Sequence, residues 1–356
     1  MFVAWRDLKT AKGRFALIAT VVALITVLVT FLAGLTGGLA SQNISALTSL
    51  DADRIVFVST DDEQPTFADS VVTQEEADVW AGQAGVTDVK PLGISTARLT
   101  NGDRQEAVTL FGGGPGTASV QAPRPGHLLL GSDTADALGV TPGQPVKIAD
   151  HAFVVDTTTD DGLWYSHMPV VYADLDDWRA LATQPGSQAP FASVLGVSGA
   201  DVDYATADAE AGTTSKGLLS SLTALESFKS EVGSLLLMVS MLFGISALVV
   251  GAFFTVWSIQ CQPDVAVLKA LGATNRMLTF DALGQAAVVL AIGVTSGITV
   301  TSMLGLAAGS ALPFVLSPLT TVLPGLIMTV LGLAGALLAT RSITRTDPLT
   351  ALGSNR

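Results

Sequence analysis

Long apolar stretches alternate with charged ones along this chain. Phe15–Ala40 holds no charged residue for 26 positions, Val232–Gln262 none for 31, and Ala282–Thr340 none for 59. A helix needs about 20 apolar residues to cross the hydrocarbon core of a bilayer. The first two stretches therefore predict one span each. The third is long enough for two, with Pro313, Pro318 and Pro324 supplying the turn. The chain divides into a segment 1–14, spans over 15–40, 232–259, 281–310 and 320–341, a polar insert 41–231, a loop 260–280 and a tail 342–356.

Charge orients this division. The segments flanking the spans carry Arg6, Lys9, Lys12, Arg14, Lys269, Arg276, Arg341, Arg345 and Arg356 against Asp7, Asp264, Asp281 and Asp347, a net of +5. The insert holds nine cations and 27 acids, a net of −18. By the positive-inside rule both termini and the 260–280 loop are cytoplasmic and the insert is outside. The expected fold class is membrane α-helical, with four transmembrane helices and a large mixed α/β extracytoplasmic domain inserted between helices 1 and 2. The expected location is the bacterial plasma membrane, crossed several times.

The first apolar run is too long for a secretory signal, whose apolar core is about 7–15 residues, so it reads as an uncleaved anchor. Before it, Phe2, Trp5 and Leu8 recur at helical spacing among charges, which predicts a short amphipathic helix lying on the inner surface. A mean hydropathy of +0.52 with 14% charged residues agrees with a membrane protein. The sparse cations form no basic patch with interleaved aromatics, which argues against a nucleic-acid partner. The one cysteine, Cys261, lies beyond the insert, so burial rather than disulfides must hold the insert together.

Within the insert, Arg54–Ser59 alternates as a strand. Thr73–Ala84 reads as a helix capped by Thr73, with Glu75 and Glu76 in its first turn. Ile94–Thr100 and Arg104–Phe111 flank Asn101-Gly102, a hairpin signal. His127–Leu130 follows as a strand, then Ser132–Leu138 as a helix capped by Ser132 or Asp133 and ended by Gly139. Pro142-Gly143 is a turn between that helix and the strand pair Val146–Ala149 and Phe153–Thr157. Met168–Ala173 reads as a strand, Leu175–Thr183 as a helix, and Ala192–Val197 as the last strand. Asp201–Lys229, rich in Ala, Ser and acids, reads as helical.

The cytoplasmic loop carries the densest signal. Pro263 suits a first helical position, Asp264 sits at the positive helix end, and Lys269 lies in the last turn. Val265, Leu268 and Leu271 form one apolar face, Gly272 can take a left-handed cap, and Thr274 can open the next helix. So short a helix is unstable alone in water and should pack against a partner or lie on lipid head groups.

Val265–Thr274, read as VAVLKALGAT, resembles the coupling signature of the permease subunits of MacB/FtsX-type ABC transporters. Asp347-Pro348-Leu349-Thr350-Ala351-Leu352 is similar to the ending of that family. Leu129–Ser132, Ala137–Val140 and Pro142–Val146 resemble its extracytoplasmic domain. The resemblance implies that Pro263, Asp264, Val265, Leu268, Lys269, Leu271 and Gly272 dock into a separate ATPase subunit, and that two permeases pair with two ATPases. Cys261-Gln262 departs from the basic residues often found there. Trp164–His167 with Pro169–Val171, and the short length, are closest to the haem-exporting HrtB-type permeases of actinobacteria, which implies haem or a similar amphiphile as substrate.

Haem ligands are normally His, Met, Cys or Tyr. His127, His151 and His167 show no mutual ligand spacing and read as surface or hydrogen-bonded residues. Met238 and Met241 share a face near the outer end of span two, Glu226 and Glu231 precede it, and Phe31 and Leu35 on span one could wall a flat ligand. Each of these also has an ordinary packing or solvated role. No charged residue lies in a span core, which removes the usual parts of a proton relay. No G-x-x-x-x-G-K-[ST] loop exists to cradle ATP, so no cofactor is intrinsic to the chain, and ATP and Mg²⁺ belong to the partner. The expectation is a non-catalytic permease, a homodimer in contact with lipid. The alternatives are a mechanical transmitter acting on a cell-wall hydrolase, and a receptor or anchored enzyme, for which the insert offers no catalytic or metal spacing.

Overall fold

The computed structural model describes residues 12–344 apart from 59–63, 115–116, 118–121, 160–161, 184–185, 187, 261–264, 266, 268, 270–271 and 309–311. The amphipathic segment at the N-terminus and the Asp347–Leu352 ending lie outside the described residues. Two compact units form: an α/β unit over Leu39–Gly233, and a helical unit built from the residues before and after it.

Helix α1 runs Lys12–Thr48. It continues past the predicted end at residue 40 because an apolar run measures the crossing, whereas a helix persists through polar residues until something stops it. Its last turns bury Ala46, Leu47 and Asn43 in the α/β unit. Strand β1 (Arg54–Phe57) follows, then helix α2 (Gln74–Ala81), opened by Thr73 in a reciprocal cap with Glu76. Strands β2 (Val86–Asn101) and β3 (Arg104–Gly113) pair across Gly102-Asp103, one residue on from the expected Asn101-Gly102, with Asn101 opposite Arg104, and Gly102 supplies the positive φ of the turn. Next come β4 (His127–Gly131) and α3 (Ser132–Leu138). The start of α3 corrects the expected cap: Gly131 holds the N-cap position with no side-chain bond, and neither Ser132 nor Asp133 does so.

The remaining elements are β5 (Pro145–Ile148), β6 (His151–Thr159), β7 (Trp164–Tyr165), β8 (Met168–Ala173), α4 (Leu175–Ala182) and β9 (Val194–Gly199). The stretch expected to be helical from Asp201 to Lys229 is broken. It forms α5 (Tyr204–Ala211), strand β10 (Thr214–Gly217), α6 (Leu218–Ser221) and a 3₁₀ turn at Leu222–Ala224. Gly212 ends α5 in the left-handed region. The Asp208 carboxylate then accepts from Thr213 and Ser215, which favours an extended exit over another helical turn. Ala-rich composition misleads here because side-chain capping and sheet pairing outweigh intrinsic propensity.

The strands follow the order β10-β1-β9-β2-β3-β8-β4-β6-β5, with β7 paired to β8. Strand β2 is long enough to serve twice: Leu99 and Thr100 also pair with Ile148 and Lys147 of β5, closing a ring of six strands. Leu99, Val108, Leu110, Leu128 and Val171 fill that ring's core with Trp178 of α4. The Trp178 ring lies on Gly93 and Gly112, paired neighbours across β2 and β3, where any Cβ would strike it.

A second core gathers Ile55, Phe57, Phe111, Tyr165 and Tyr172 around Ala46 and Leu47 of α1. Burial pushes the Tyr172 phenol up to about 12. A raised phenol stabilises the fold below its ordinary value near 10 and loses that contribution between there and about 12. Alkaline absorbance titration should therefore find a tyrosine step near 12, and Tyr172→Phe should remove that step.

The helical unit contains α7 (Glu226–Gln260), α8 (Asn275–Ala308) and α9 (Pro318–Thr344). With α1 these are four helices long and apolar enough to cross a membrane. Helices α7 and α9 exceed the predicted 232–259 and 320–341 at both ends, and α8 starts before the predicted 281 but is described only to Ala308, short of 310. Gly293 and Gly297 of α8 let Val22, Thr26 and the carbonyls of Ala19 and Ala23 approach, and the buried hydroxyls of Thr30 and Thr301 meet at 2.7 Å. Gly34, Gly38 and Gly305 instead seat Pro313 and Phe314 of the connection before α9. Only part of the expected proline turn is a turn. Pro318 opens α9 at its first position, and Pro324 lies inside that helix.

Candidate functional site

The loop between α7 and α8 is partly described. Val265, Val267 and Lys269 are helical. Gly272 adopts φ 93° and donates its N–H to the Lys269 carbonyl at 3.0 Å. Thr274 accepts the Met277 N–H at 3.3 Å and opens α8. Pro263, Asp264, Leu268 and Leu271 lie outside the described residues.

One uninterrupted helix, α7, carries Glu226, Glu231, Met238 and Met241. At about 100° per residue, Glu231, Met238 and Met241 fall on one stripe, while Glu226 lies roughly 140° away from Glu231. Met238 and Met241 are 55% and 62% exposed, with Leu237, Ile245 and Leu248 also bare. Phe31 does not stand open as a wall. Its ring packs on Phe314 at 5.1 Å, and Leu35 on the same helix is half-buried.

Sequence reasoning missed the polar cluster around Glu231. His167 Nε2 lies 2.7 Å from the Glu231 carboxylate, and Asn43 Nδ2 donates to the same oxygen at 3.1 Å. Asn43 is fully buried and its Oδ1 accepts from Ser227 at 2.8 Å. His167 reaches Glu231 from the tight turn between β7 and β8, where Tyr165 pairs with Met168. Ser166 and His167 both have positive φ, 49° and 62°, a conformation that costs about 1–2 kcal/mol for each non-glycine residue. The turn's backbone recovers part of that cost by donating from Ser166 to the Asn43 carbonyl and from His167 to that of Gln42. The available signal was the two-residue spacing between Tyr165 and Met168, but Ser-His lacks the glycine that marks such turns. Among the described residues no cluster of three or more His, Cys, Asp or Glu could hold a metal ion.

Residues 236–348, covering α8, α9 and most of α7, match the family described as FtsX-like permease C-terminal. The chain carries an FtsX-like permease domain. A protein of Staphylococcus haemolyticus named as the HrtB permease of a hemin transport system is 26% identical to this permease over 366 aligned residues, covering 99% of both chains. A like-named protein of Staphylococcus epidermidis is 25% identical over 362 residues, covering all of both. The extracellular domain of the ABC-type transporter YknZ from Gram-positive bacteria overlaps 47% of the permease and 99% of its own chain, with a TM-score of 0.34 and 15% identity. The periplasmic region of MacB from Actinobacillus actinomycetemcomitans overlaps 51% and 97%, with a TM-score of 0.35 and 12% identity. The matched segment is thus a permease-type domain built on helices long and apolar enough to cross a membrane.

Proposed function

We propose that this chain is the permease of an efflux pump that takes haem, or a similar flat amphiphile, from the membrane and releases it outside. The observation that carries the reading is the stripe on α7, where a half-buried carboxylate is followed by two exposed thioethers. Thioethers are soft ligands of haem iron, and Glu231 offers a carboxylate to ferric iron or repels the propionates. Full-length similarity to permeases named for hemin transport supports the same substrate. Phe31 is left a minor part, since Phe314 covers one side of its ring.

Two copies and two ATPases form the working pump in this reading. The exposed face of α7 is the surface on which a second copy, lipid and substrate meet. Termini and the α7–α8 loop face the cytoplasm, and the α/β unit faces out. ATP and Mg²⁺ bind only to the partner. Its closure presses on Pro263–Leu271, and the capped turn at Gly272 passes the push to α8. Gly272→Val forces a β-branched side chain into φ 93°, a strain worth roughly tenfold in an equilibrium. Export should fall by about that factor or more, with thermal unfolding of the α/β unit unchanged.

The deciding experiment purifies the chain with its co-expressed ATPase and titrates haem against ATP turnover. Stimulated turnover with a bound-haem absorption spectrum is expected. Unchanged turnover without that spectrum would instead favour a mechanical transmitter acting on an outside hydrolase.

A further inference from the structure

We infer that His167 and Asn43 form a clasp on Glu231 that competes with the substrate for its carboxylate. This rests on the reading of Glu231 as a haem-contacting group. A hydrogen-bond argument fixes the clasp's polarity. Asn43 Oδ1 accepts from Ser227, so Nδ2 is the end that faces Glu231 and His167. Nδ2 is a donor, and it lies 3.0 Å from His167 Nε2. Were Nε2 bare, its lone pair would point toward the carboxylate lone pairs 2.7 Å away. The consistent assignment has Nε2–H donating to Glu231, with Asn43 donating to the same oxygen.

The backbone supports a role beyond packing. A two-residue hairpin turn with both residues at positive φ favours Asn-Gly, yet this one holds Ser166 and His167. Retained strain at an observed outlier points to a contact that needs the side chain. Glycine at 167 would relieve the turn and lose the imidazole. The turn is tied to the end of α1 through Gln42, Asn43 and Ser45, and to the start of α7 through Ser227 and Glu231. Glu231 is therefore the point at which one carboxylate holds a strained turn against two helices. A ligand that takes this carboxylate removes the acceptor of His167 and Asn43 and lets the turn relax. Occupancy at Glu231 is thereby transmitted to the hairpin.

The test uses the full chain with its ATPase in lipid nanodiscs, with hydrogen–deuterium exchange across residues 164–170 and haem titration of ATP turnover. Without haem, Glu231→Ala should speed exchange of the turn by roughly tenfold, and haem added to the wild type should speed it likewise. His167→Ala, which removes the competitor, should lower the half-saturating haem concentration by about fivefold at unchanged maximal turnover. His167→Gln, which restores a donor near Nε2, should return the wild-type value, an outcome that a merely structural role would not produce. Unchanged exchange in Glu231→Ala overturns the clasp itself. A half-saturation that stays constant or rises in His167→Ala overturns the competition. A wild type indifferent to haem overturns the haem reading and the opening step with it, while the exchange of Glu231→Ala still judges the clasp.

Discussion

Replacing Glu226 and Glu231 by glutamine together with Met238 and Met241 by leucine is expected to weaken haem binding by roughly a hundredfold, a loss of about 2.7 kcal/mol. All four side chains are exposed or half-buried, so the substitutions remove ligands and charge while leaving the cores intact. The effect should divide unevenly. Glu226 lies off the stripe, and Glu226→Gln alone should change affinity by less than about twofold, within the spread of ordinary surface substitutions. Glu231, Met238 and Met241 should carry the rest. Absorbance titration of the lipid-embedded protein measures the affinity, and thermal unfolding checks that the variant is folded. An unaltered affinity in the quadruple variant would remove the α7 stripe as the haem site.

Phe111→Ala is expected to destabilise the α/β unit by about 3–5 kcal/mol, a large share of the roughly 5–15 kcal/mol that holds an ordinary domain. Phe111 is fully buried. Its ring meets Tyr165 at 5.6 Å and Tyr172 at 5.9 Å, both edge-on, so truncation opens a cavity and removes two aromatic contacts. No cysteine lies within this unit to offset the loss. Protease resistance and the unfolding temperature of the full chain in lipid report the change. Phe111→Leu keeps most of the volume and should cost less than half as much. A shift below about 1 kcal/mol for alanine, the typical cost of any single substitution, would mean that this core is not what holds the unit.

Local chemistry explains which elements could be read in advance. Asn101-Gly102 has a single favourable use between two alternating strands, and Thr73 with Glu76 satisfies free N–H groups wherever a helix begins. The cap appears where expected, and the hairpin forms with its loop one residue on, at Gly102-Asp103. Gly272 and Thr274 likewise end one helix and begin the next as their residue types require. Strand β10 was not legible, because Thr214–Gly217 has no alternation of its own and becomes a strand by pairing with β1. The second use of β2, and so the closed ring, depends on β5 arriving beside Leu99. No pattern within either strand encodes that meeting.

The candidate site divides in the same way. Glu231, Met238 and Met241 could be grouped from spacing because one helix carries them, and 3.6 residues per turn decides their common face. The same arithmetic separates Glu226 from them. Phe31 could not be judged by depth alone, since its partner Phe314 comes from 283 positions away in the sequence. Nor could Asn43 and His167 be joined to Glu231, being 188 and 64 positions from it.

By itself the sequence determined four apolar helices, a polar α/β insert between the first two, and the capped turns at Thr73, Gly102, Gly139 and Gly272. These follow from hydrophobic length and from backbone groups satisfied within a few residues. Only the tertiary structure decided the closed ring of strands, the seating of Phe314 on Gly34 and Gly305, and the clasp of His167 and Asn43 on Glu231. Each of these is a contact between distant segments, and its free energy exists only once the whole chain has brought both sides together.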